Sequence, residues 1–223
     1  MNILFIGNSL TFYHHMPETF RKLAKEADRL CTVDKVTKGG HKLFQFADPK
    51  DEYGAILREK AEQKWDCVIL QEQSYYPIVY PHAFFDGAKT VCDLFRPVTD
   101  RILFYSTFPY EDGHRFYSER VMSRAEMGRR LLDAYTDAAN RLGAEVADVG
   151  TAFVTATEKK SDICLYEADK KHPSQPGSHL AACVLFSAVY KMPVPKDAFF
   201  REEVTPEDAA FLCGVANELF LKK

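Results

Sequence analysis

Short apolar runs alternate with longer amphipathic stretches along the chain, the pattern of strands joined by crossover helices in a parallel sheet. The runs that read as strands are residues 2–6, 31–36, 67–71, 102–106 and 145–149. Between them, residues 17–27, 52–63, 83–94 and 119–142 carry apolar side chains at three- and four-residue spacing, which predicts amphipathic helices. Two more helices are expected near the end. The first, 176–190, continues from Pro-Gly-Ser into His179-Leu180-Ala181-Ala182-Cys183-Val184-Leu185-Phe186, too apolar to face water. The second, 206–221, has Thr205 at the N-cap position and Pro206 at the first helical position. The predicted class is α/β, with a central parallel sheet of about five strands.

Residues 73–82 and 108–116 interrupt this rhythm as long polar-aromatic loops, each following the carboxyl end of a predicted strand. In an open parallel sheet that edge is where ligands bind. The aromatic side chains there suit a lid or an acyl-pocket wall, and equally suit a loop packed on the core. With 223 residues and 46% hydrophobic content, the chain is long enough to bury a substantial core, and one domain over residues 1–223 is expected. A formal charge of −3 offers a nucleic-acid backbone nothing to bind, so no nucleic-acid partner is expected. The opening apolar run stops at Gly7, without a basic leader and far short of the roughly 20 residues that span a bilayer. No membrane partner and a cytoplasmic location are therefore expected. Cys31, Cys67, Cys92, Cys164, Cys183 and Cys213 are widely spaced, without a CxxC pair, and read as reduced core thiols.

Two short segments carry chemistry. Ile6-Gly7-Asn8-Ser9-Leu10-Thr11 places Ser9 in the turn beyond the first strand, where a hydroxyl faces the binding edge. A serine attacks a carbonyl only if a base takes its proton and donors hold the resulting oxyanion. Asp169-Lys170-Lys171-His172 supplies such a base, because a carboxylate three residues from an imidazole in a turn can reach Nδ1 and leave Nε2 free to accept the Ser9 proton. His14 and His15 lack a carboxylate at such spacing, and His41, His82, His114 and His179 stand alone in the sequence. His14 and His41 are candidate pocket walls. No HExxH or equivalent spacing appears, so neither metal nor cofactor is expected.

Gly7-Asn8-Ser9-Leu10-Thr11 resembles the nucleophile block of the SGNH (GDSL-like) hydrolases, and Asp169-x-x-His172 resembles their last block, in the same order and about 160 residues apart. The resemblance implies a flavodoxin-like three-layer αβα sandwich, a Ser9–His172–Asp169 triad, and hydrolysis of a small carboxylic ester through an acyl-serine. Family oxyanion holes combine the nucleophile's amide, a glycine amide after the second strand and an asparagine side chain after the third. Lys38-Gly39-Gly40 resembles the glycine block, and Asn8 joins Gly39 and Gly40 as a candidate binding residue. The third block departs from Gly-x-Asn-Asp: Gln71-Glu72-Gln73-Ser74 stands there, and Gln73, placed by strand alternation in the loop, is the candidate side-chain donor. The abundant aromatics and the lack of a long apolar insertion favour a short acyl group on a carbohydrate as substrate. Two rivals remain: a flavodoxin-like anion- or nucleotide-binding module using the Gly7–Thr11 loop as a phosphate cradle, and a catalytically silent carbohydrate-binding relative.

Overall fold

The structure, a computed structural model, describes residues 1–195 and 202–222. Five strands form one sheet: β1 (Asn2–Gly7), β2 (Thr32–Thr37), β3 (Cys67–Leu70), β4 (Ile102–Tyr105) and β5 (Glu145–Ala147). Every pairing is parallel and the spatial order is β2-β1-β3-β4-β5, the flavodoxin-like arrangement. In β1 the alternation of side chains divides the core. Ile3 and Phe5 point to one face, and Leu4 and Ile6 to the other.

Helices cover both faces, giving three layers. On the Ile3 and Phe5 side lie α1 (Ser9–Phe12), α2 (Met16–Glu26), α9 (Val149–Lys159), α10 (Gln175–Tyr190) and α11 (Pro206–Leu221). On the other side lie α3 (Leu43–Ala47), α4 (Glu52–Lys60), α6 (Pro81–Phe95) and α8 (Arg124–Leu142). Two short helices, α5 (Tyr76–Val79) and α7 (Arg115–Arg120), interrupt the two aromatic loops. Those loops meet in a small apolar cluster of their own, with Tyr110, Phe116, Met127 and Leu131 buried and Tyr75, Ile78 and Val79 packed against them. Most of the loop aromatics are thus packed inside, while Tyr80 stays exposed.

Three segments differ from the sequence expectation. The stretch expected to be one helix from 119 to 142 is two, because Val121 adopts a left-handed conformation (φ 49°) and Ser123 then caps a fresh start, accepting from the Glu126 amide at 3.1 Å. The strand expected over 145–149 stops at Ala147, and a helix that periodicity did not reveal begins at Val149. Its start is set by Asp148, which accepts from the Thr151 amide at 3.0 Å. The apolar residues on either side, Ala147 and Val149, conceal that cap. The cysteines are all free thiols, and Cys67, Cys92, Cys183 and Cys213 are buried, whereas Cys164 is exposed. No helix among the described residues is long and apolar enough to cross a membrane.

Candidate active site

β1 runs straight into α1, and Asn8 makes the junction. Its backbone is extended (φ −119°), its side-chain oxygen accepts from the Leu10 amide at 3.2 Å, and its carbonyl accepts from the Thr11 and Phe12 amides. Those bonds satisfy three of the first amides of the helix and leave the fourth, on Ser9, as the orphan donor of the N-terminus. Gly7 is obligatory just before, since a Cβ there would meet Thr11 Oγ1 at 2.4 Å and Gln71 Oε1 at 2.6 Å. Ser9 is therefore held at the rim with its hydroxyl and its amide on the same short turn.

His172 arrives from the loop between α9 and α10. That loop is closed by a bridge between Tyr166 and Pro173 and by the Glu167 amide donating to the His172 carbonyl at 2.9 Å. Inside it, Asp169 Oδ1 accepts from the Lys171 and His172 amides at 3.0 and 2.9 Å, and Oδ2 lies 2.5 Å from His172 Nδ1. Burial of the Asp169 carboxyl pushes its pKa up, but the His172 amide and imidazole and the Lys171 amide outweigh it and hold the pKa down at about 2. An ionised Asp169 can only accept, so the Nδ1 proton stays between the two groups and the Nε2 lone pair faces outward. His172 Nε2 stands 2.9 Å from Ser9 Oγ. The structure thus brings together Ser9, His172 and Asp169, in the order hydroxyl, imidazole, carboxylate.

A strained turn completes this side. His14 (φ 50°) and His15 (φ 54°) are consecutive non-glycine residues in the left-handed region, a costly backbone that persists only where its surroundings enforce it. Just before them, Tyr13 stacks on the His172 ring with centroids 4.4 Å apart and planes 17° apart. Just inside, His14 Nε2 lies 2.7 Å from Glu167 Oε1, tying the turn to the loop that carries His172. Sequence reasoning left His14 without a carboxylate because its partner lies 153 positions onward. His41 likewise has an unforeseen partner, Asp51, at 3.0 Å.

On the opposite side of Ser9, the Lys38 amide donates to the Gly7 carbonyl at 3.1 Å, which brings the glycine pair beside the serine turn. Gly40 is in the left-handed region (φ 71°) and the His41 amide closes the turn on the Lys38 carbonyl. Gly39 and Gly40 are both exposed, and Gly39 faces the Phe12 ring. Asn8 points inward, its Nδ2 donating to the His41 carbonyl at 2.8 Å. The two glutamines of the third loop do different things. Gln73 is half-buried and its Nε2 donates to Ser74 Oγ at 2.8 Å. Gln71 is fully buried, and its Oε1 accepts from the Asn8 amide at 2.8 Å and from Thr11 Oγ1 at 2.9 Å. The side chain bonded to the serine turn is thus Gln71, which strand alternation assigned to the third predicted strand and which lies one position past the end of β3. Its signal in the sequence is a polar residue ending an otherwise apolar strand.

One further group of three potential metal ligands exists among the described residues, away from this rim: His179, Cys183 and Cys213, all buried. His179 Nε2 lies 3.6 Å from Cys183 Sγ and 3.8 Å from Cys213 Sγ. Both distances are within hydrogen-bonding reach of sulfur and well beyond a metal–ligand bond. Among the described residues His179 Nδ1 has no acceptor, which a metal-bound imidazole ordinarily possesses, and no fourth ligand joins the group.

No protein-family pattern and no curated protein matches the chain. Among solved structures, a protein of Slackia heliotrinireducens classed with the SGNH hydrolases is 32% identical, with a TM-score of 0.75 over 84% of this chain and 97% of that one. The chain belongs to the SGNH hydrolase family. A DUF4886 family protein from Bacteroides uniformis shares the fold at 19% identity, with a TM-score of 0.78 over 99% of this chain and 95% of that one. So does Axe2, an acetylxylan esterase from Geobacillus stearothermophilus, at 16% identity and a TM-score of 0.60 over 84% and 93%.

Proposed function

We propose that this protein is a serine-dependent hydrolase of small carboxylic esters. Ser9 Oγ attacks the ester carbonyl as His172 Nε2 takes its proton, and the tetrahedral intermediate collapses to an acyl-serine when His172 returns that proton to the leaving alcohol. Water then repeats the sequence, giving up a proton to His172 and releasing the acid. Asp169 keeps the imidazole in the required tautomer and offsets the positive charge it gains. The oxyanion is held by the Ser9 amide, the amides of Gly39 or Gly40, and the Gln73 side chain. The observation that carries this reading is the 2.9 Å separation of Ser9 Oγ and His172 Nε2, with Asp169 on the far nitrogen.

A short acyl group on a carbohydrate is the substrate we place first. Phe12 and Tyr13, half-buried on the turn that follows Ser9, offer flat surfaces on which a sugar ring can stack. The acetylxylan esterase that shares the fold makes an acetylated saccharide compatible with the architecture. Turnover of an aryl acetate by the wild-type protein, Ser9→Ala and His172→Ala tests the assignment. Both variants should lose turnover while keeping the wild-type circular dichroism spectrum, and full activity in either removes the triad.

A further inference from the structure

Glu72 is completely buried, yet it is an acid, and it stands next to Gln73, the side-chain donor proposed above. Among the described residues no cation is hydrogen-bonded to it, and Lys42 acts on it only through space. Its carboxylate instead collects backbone amides from two different loops. Gln73 N donates to Oε1 at 2.5 Å, and Leu43 N, the first helical amide of α3, donates to the two oxygens at 3.3 and 3.1 Å. Leu43 follows directly on Gly39-Gly40-His41-Lys42. One carboxylate therefore fastens the exit of the glycine turn to the backbone of Gln73. The Glu72 carbonyl in turn accepts from Gln71 Nε2, and Gln71 Oε1 holds the Asn8 amide beside Ser9. Asn8 Nδ2 closes the circuit on the His41 carbonyl.

Burying a carboxyl without a cation is unfavourable, and a core residue of similar size would fill the space without that cost. We infer that Glu72 is a positioning residue for the ester hydrolysis proposed above: it sets the spacing between the Gly39-Gly40 turn and Gln73, and so the geometry in which their donors meet the oxyanion. It touches no reacting atom. This inference rests on the hydrolase reading, and it predicts a defect confined to the transition state. Donors displaced by a fraction of an ångström bind the ground-state ester nearly as well but lose their grip on the oxyanion.

The test compares wild type, Glu72→Gln and Leu43→Pro on one aryl acetate. Glu72→Gln keeps the volume but replaces one of the two oxygens that take the Gln73 and Leu43 amides with an NH2 group that cannot accept. Its kcat should fall about 100-fold with KM within about twofold of wild type. Leu43→Pro removes the amide from the other end of the same contact. Proline is at home in the first turn of a helix, and the preceding Lys42 is already extended (φ −117°, ψ 156°), as a residue before proline must be. It should show the same split at about 10-fold. A folded Glu72→Gln with wild-type kcat overturns the inference while the hydrolase reading stands. If that variant does not fold, wild-type kcat in Leu43→Pro overturns it equally. A wild-type protein that hydrolyses no ester removes the hydrolase reading and this inference together.

Discussion

On one flank of Ser9, the imidazole and its carboxylate come from a single turn, three residues apart, braced by backbone bonds within the same loop. On the other flank, the glycine turn, Gln71, Glu72 and Gln73 come from the ends of two further strands, joined by side-chain bonds that span 29 to 63 positions. The first flank is local and partly open to solvent; the second is assembled at long range and buried at its centre. The two acids show the consequence. Burial raises the pKa of both, but amides and the imidazole bring Asp169 down to about 2, whereas burial dominates at Glu72 and pushes it up to about 8 against the Gln73 and Leu43 amides and Lys42. An acid beside a histidine at the rim is made for permanent charge, while an acid sealed between loops is made for position.

The largest expected effect falls on the local flank. Asp169→Asn removes the acceptor that holds the Nδ1 proton and should lower kcat by about 10⁴-fold with KM little changed, as read from steady-state turnover. On the assembled flank, Gln73→Ala should cost roughly 100-fold in kcat and leave the melting temperature near wild type, because the side chain is half-buried and its amide nitrogen is bonded to the adjacent Ser74. Gln71→Ala should do the reverse in part. It strands the buried Asn8 amide and Thr11 hydroxyl, so thermal unfolding should show a loss of about 2–4 kcal/mol in addition to slower turnover. Equal melting temperatures for the two glutamine variants would erase the distinction drawn between them.

Stability against pH responds with opposite signs for the two acids. Asp169 has a folded pKa below its ordinary value of 3.8, so its contribution is present above that value and is lost as pH falls toward about 2. Glu72 has a folded pKa above its ordinary value of 4.5, so the folded state holds the proton more tightly and stability declines as pH rises from 4.5 to about 8. Melting curves across that upper window should slope downward in wild type and flatten in Glu72→Gln.

The same contrast explains what the sequence disclosed. Hydrophobic alternation located all five strands to within two residues, and spacing alone paired Asp169 with His172, because both signals are local. The Thr205 cap of α11 was legible for the same reason, its hydroxyl accepting from the Asp208 amide at 3.1 Å. What spacing does not carry is contact between distant segments. His14 with Glu167, the stacking of Tyr13 on His172, and the division of labour between Gln71 and Gln73 all arise from the order in which strands lie in the sheet. α9 was hidden differently: Asp148 is a short polar interruption in an apolar run, and only its bond to the Thr151 amide marks it as a cap.

We propose the Ser9 hydroxyl as the activated nucleophile of this rim. Incubation with a fluorophosphonate, followed by intact-mass and fragment-mass analysis, tests it most directly. A single adduct mapped to Ser9 is expected, absent from His172→Ala under the same conditions. An unmodified protein, or an adduct on any other residue with Ser9 left free, would contradict it.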